Sequence, residues 1–171
     1  QVIAHGGEYY AGLKPASFFA TVNSDFTVQT IAVAPNEKPL AGQNYTVRVS
    51  RVWWESVRRA GNGGRLYWES EQHSEVVKEF PVTSADAPQT LTLNLDKVGY
   101  YKVEADGADS RGNAIKSEDY FYAVGSGYAA WMRSDDDYVE IVADAKKYQP
   151  GDTAHILVKS PYESVKALVT I

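Results

Sequence analysis

The chain has 171 residues, 44% hydrophobic and 23% charged, an ordinary globular balance unlike that of a disordered chain. No apolar run is long enough to cross a bilayer as a helix, and a net charge of −5 gives no reason to expect a nucleic-acid backbone as partner. The absence of cysteine excludes disulfides, thiolate catalysis and thiolate metal sites, and leaves the compartment open.

The chain opens on Gln1 without a leader pattern and reads as a piece excised from something longer. Short alternating segments, rich in Tyr and Trp and separated by Gly, Asn, Asp and Pro, argue an all-β, immunoglobulin-like antiparallel sandwich. Residues 1–24 form a leading segment, either the end of a preceding domain or first strands, with segments at 2–5, 8–13 and 17–22. Residues 25–126 form the sandwich. Its strand at 26–34 changes apolar phase between Val28 and Ile31, which predicts a bulge or bend. Residues 45–54 are the clearest strand: Tyr45, Val47, Val49 and Trp53 share the inward face, and Trp54 falls on the outward one. A Gly-rich turn at 61–64 leads to strands at 65–71 and 74–81. Leu91, Leu93 and Leu95 alternate with polar residues. Tyr101, Val103 and Ala105 continue the pattern, and a polar turn at 108–113 returns the chain along 115–124. Gly125-Ser126-Gly127 reads as a linker. Residues 127–171, with strands at 138–143, 152–159 and 164–171, offer too few strands to close a seven-stranded sandwich, so a second domain is cut off.

The run from Leu95 to Tyr101 has the spacing of a tyrosine corner, in which Tyr101 bonds back to upstream backbone. Asp106, Asp109 and Asn113 lack the spacing of a calcium loop and read as a polar hairpin turn. Asp135-Asp136-Asp137 reads as a solvated acidic loop. His5, His73 and His155 show no metal-ligand spacing, and no nucleophile elbow or phosphate loop occurs. No catalytic, cofactor or metal residue is assigned. The candidate interface residues are Trp54 and Trp68, because an outward Trp marks a contact surface.

Two stretches carry a family resemblance. Tyr148-Gln149-Pro150-Gly151-Asp152-Thr153-Ala154, with Ser160-Pro161-Tyr162 and Ala167-Leu168-Val169-Thr170, is similar to the opening of a macroglobulin domain in bacterial-type alpha-2-macroglobulins. Glu8-Tyr9-Tyr10-Ala11-Gly12-Leu13, Lys38-Pro39-Leu40-Ala41-Gly42, Gly99-Tyr100-Tyr101 and Asp109-Ser110-Arg111-Gly112-Asn113 resemble the family's preceding domain. The resemblance implies scaffold domains of a non-enzymatic, exported, periplasmic or cell-surface protease trap. Its partners would be neighbouring macroglobulin domains, and target proteases through the parent protein. The thioester Cys and a bait-like segment, which such traps use, are not found in this sequence. An adhesion or carbohydrate-binding module with Trp54 and Trp68 as a surface platform is the rival reading. The open strands of the second unit further imply strand-exchanged self-association of the fragment.

Overall fold

The computed structural model describes residues 6–133, 135, 138–162 and 164–168. The expected strand at 2–5, with His5, the acids Asp136 and Asp137, and the end of the expected strand at 164–171 lie outside the described residues. The fold is all-β, and among the described residues only the short 3-10 turn Asn62–Gly64 is helical.

Two sheets face each other. The first contains β1 (Tyr10–Pro15), β3 (Asp25–Val33) and β6 (Gln89–Asn94) in the order β1-β3-β6, all antiparallel. The second has the order β2-β8-β7-β4-β5, from β2 (Phe19–Thr21), β4 (Asn44–Ala60), β5 (Leu66–Thr83), β7 (Gly99–Ala108) and β8 (Ala114–Val124). Only β2 runs parallel to its neighbour, β8. Both β1 and β2 are thus strands of the sandwich, one in each sheet.

Period-two alternation builds the core. Phe26, Val28 and Ala32 on β3 meet Tyr45, Val47 and Val49 on β4 and Tyr101, Val103 and Ala105 on β7, and Phe121 fills the space between Phe26 and Tyr101. The Tyr101 hydroxyl donates to the Lys97 carbonyl at 2.8 Å, which is the expected corner. Burial pushes that hydroxyl up to about 12, so it stays a neutral donor.

Three expectations are corrected. β3 has no phase switch: its register with β1 and β6 is unbroken, and Thr30 takes the inward position. Its hydroxyl is satisfied by the Gly12 carbonyl at 3.0 Å and the Tyr45 hydroxyl at 2.9 Å. The strands expected at 65–71 and 74–81 are one strand, β5, with Val77 bulged out where Val49 and Ser50 oppose Lys78 and Val76. Trp53 keeps the inward phase but is only half-buried, because it lies past Tyr100, the last β7 residue paired to β4. There it stacks on His73 at 5.6 Å and carries the Arg51 guanidinium. Gly125-Ser126-Gly127, the junction read as a linker, is exposed to solvent. Gly125 and Gly127 have φ of +155° and +137°, and a Cβ on Gly125 would sit 2.4 Å from Val22.

Beyond the junction, β9 (Ile141–Ala143) and β10 (Ile156–Val158) form a two-stranded antiparallel sheet. Residues 164–168, expected as a strand, are not in one, and Leu168 is 92% exposed.

Candidate functional site: an aromatic outer face crossed by the following segment

The β4–β5 hairpin outruns β7. Its far half, from Trp53 to Ala60 and from Leu66 to His73, projects past the core as a two-stranded arm. A strand pair without a covering sheet has no dry face to fill, which is why its sequence mixes Glu, Arg and Ser with Trp. Cross-strand pairing puts Trp54, Ser56 and Arg58 opposite Gln72, Ser70 and Trp68 on one face of the arm. The two Trp residues singled out in the sequence therefore share that face, and both line one groove of about 590 Å³.

Towards the sandwich, the same face continues as a band of rings. Trp54 lies 6.1 Å from Tyr100, Tyr100 lies 5.6 Å from both Tyr120 and Tyr122, and Phe18 meets Tyr120 and Tyr122 edge-on at 5.3 and 5.4 Å. Sequence reasoning missed this band. Its signal was the outward phase of Tyr100, Tyr120 and Tyr122 on two paired strands, readable only once their register is known. Burial, with the neighbouring Tyr122 and Tyr120, pushes the Tyr100 hydroxyl up to about 12, so it stays neutral at physiological pH.

The segment after the junction crosses this surface. Ala129 is buried, Trp131 packs edge-on to Tyr122 at 5.9 Å, and the Trp54 amide donates to the Ala130 carbonyl at 3.1 Å. Lys159 places its ammonium over Tyr122 at 4.8 Å and over Trp131 at 5.6 Å, and pairs with Glu140 at 2.7 Å. Burial opposes its charge, but Glu140 and Tyr122 outweigh that and its pKa is raised. Arg133 lies over the Trp68 ring at 4.9 Å and over Tyr162 at 5.6 Å, and Arg58 lies over Trp68 at 5.5 Å.

The other singled-out groups have local roles. Asp109 holds the β7–β8 turn through the Arg111 and Asn113 amides and reaches the Glu8 amide at 3.2 Å. Asp106 pairs with Arg48 and Lys116. His155 bonds to Asp144 at 3.0 Å, and His73 sits 3.6 Å from Glu55, too far for a hydrogen bond. Asp135 is solvent-exposed, as expected of an acidic loop, and also accepts from the Trp68 amide at 3.1 Å. No group of three or more metal-ligating side chains occurs among the described residues.

A two-sheet sandwich of this topology is the architecture of a macroglobulin-type domain. Residues 12–125 match the family model of bacterial macroglobulin domain 6, and the chain belongs to that family. It is 25% identical over 151 residues to an alpha-2-macroglobulin homolog of Nostoc sp., a match covering 88% of this chain and 8% of that protein. The fold is similar to the native conformation of E. coli alpha-2-macroglobulin, at TM-score 0.60 and 16% identity over 89% of this chain and 10% of that one. It is likewise similar to Salmonella alpha-2-macroglobulin reacted with methylamine, at TM-score 0.58 and 16% identity over 91% and 10%. The chain thus spans about a tenth of the relatives it matches.

Proposed function

We propose that this chain is structural scaffold in an exported, protease-trapping macroglobulin, periplasmic or at the cell surface, and that it acts through contacts between domains. The observation that carries the reading is the outer aromatic band. Five-ring clusters are costly to leave wet, and here the following segment already lies on the band through Trp131 and Lys159. Trp54 and Trp68 are interface residues in this reading. The sugar-platform alternative needs a free indole face, whereas Arg58 and Arg133 both lie over Trp68. Target proteases would be met by the parent protein, not by this piece.

The test compares the purified chain with its parent. The chain alone leaves cleavage of both a protein and a short peptide by a trypsin-like protease unchanged. The parent suppresses cleavage of the protein substrate and spares that of the peptide, as caging requires. Tight inhibition by the isolated chain would replace the scaffold with a directly binding inhibitor.

A further inference from the structure

Residues 130–133 and Asp135 do more than cover the arm, since they reach its face from the β4 edge to the β5 edge. At the β4 edge the Trp54 amide donates to the Ala130 carbonyl, and at the β5 edge the Trp68 amide donates to the Asp135 carboxylate. Between them the Ser56 and Ser70 hydroxyls, 2.7 Å apart across the arm, receive Arg133: its amide donates to Ser56 Oγ at 3.3 Å, and Ser70 Oγ donates to its carbonyl at 2.9 Å. The Arg133 side chain then turns the other way. It stacks between Trp68 and Tyr162, and Nη2 donates to the Pro161 carbonyl at 2.6 Å. Tyr128 donates to the same carbonyl at 3.2 Å.

We propose that the Ser56–Ser70 pair and the Trp68 ring form an internal docking surface whose partner is Arg133, and that Arg133 is the positioning residue that locks the β4–β5 arm to the unit containing β9 and β10. One residue grips the arm with its backbone and the following unit with its guanidinium. A planar, five-donor group suits this role because it can stack on a ring and donate in its plane at once. The arm and the following unit then turn as one body, and the Gly125–Gly127 junction does not hinge freely. This deepens the scaffold reading and rests on it only for its use in the parent. The lock itself is read on the chain alone, so trap activity and the lock can fail separately.

The test is amide exchange on the full chain, with spin labels at Gly63 in the arm tip and Lys147 in the following unit. The Trp54 and Trp68 amides report the lock directly. In Arg133→Ala both are expected to exchange faster, by roughly tenfold, the equivalent of about one net hydrogen bond, and the label-to-label distance distribution broadens. Amides of Val47 and Val103 in the core stay protected, which separates loss of the lock from unfolding. Arg133→Lys keeps the charge but not the plane and is expected to behave like Arg133→Ala. Ser56→Ala with Ser70→Ala releases Arg133 from the other side and gives the same broadening. Unchanged Trp54 and Trp68 protection with an unchanged distance distribution in Arg133→Ala overturns the proposal. So does full retention of both by Arg133→Lys.

Discussion

Tyr101 and Trp53 project from the same face of one sheet but on opposite sides of the core's boundary. Tyr101 is 1% exposed, stacks on Phe121 at 5.5 Å and spends its hydroxyl on Lys97. Tyr101→Ala is expected to cost about 3–5 kcal/mol in urea unfolding, as for other large aromatic core truncations. Tyr101→Phe, which removes only the corner bond, should cost about 1 kcal/mol. Trp53→Ala should stay below about 2 kcal/mol, since that ring is only partly buried and its partners are His73 and Arg51. Equal losses at Tyr101 and Trp53 would mean that the opposing sheet reaches further than described. Alternation in the sequence identified the face of both residues correctly. It could not show where the opposing sheet ends, because that depends on the length of strands far away in the chain. Thr30 escaped for a related reason: its polarity looked like a phase change, and only the distant Tyr45 and Gly12 make it a core residue.

Among elements, the β7–β8 hairpin depends on one carboxylate. Burial raises the pKa of Asp109, but hydrogen bonds from Asn113, Glu8 and Arg111 outweigh it and hold the group below its ordinary value. A depressed folded value stabilises fully above the unfolded pKa, about 3.9 for Asp, and that stabilisation is lost as pH falls through the folded value. Asp109→Ala should therefore lower the urea midpoint at pH 7, and the gap to the native chain should narrow progressively below about pH 4. A gap that is constant with pH would assign the effect to packing instead. The polar hairpin was legible because Asp, Gly and Asn cluster between alternating runs. The reach of Asp109 to Glu8 was not, since nothing local links the chain start to this turn. β5 was misread as two strands because a strand that leaves the core loses the apolar alternation by which strands are recognised.

For the whole molecule, the unit after the junction is the exposed part. Ile141, Ile156, Val158 and Leu168 are all exposed, and β9 and β10 form a sheet of two strands. Self-association through these strands is a proposal that sedimentation at micromolar concentration can decide. The full chain is expected to dimerise, while a chain ended after Arg133, which keeps the segment over the aromatic band, stays monomeric. Two monomers would remove the open strands as a cause of association. A last consequence comes from the arm. Its tip, from Arg59 to Arg65, is a Gly-rich turn with exposed basic residues. A nick by trypsin at Arg65 would sever the covalent chain where no core contact is lost, and β4 and β5 remain registered against each other from Asn44–Thr83 to Ala60–Leu66. The two pieces should separate on a denaturing gel and elute as one particle on a native column. Cleavage at this point would be recorded in the chain's mass and leave its shape unchanged.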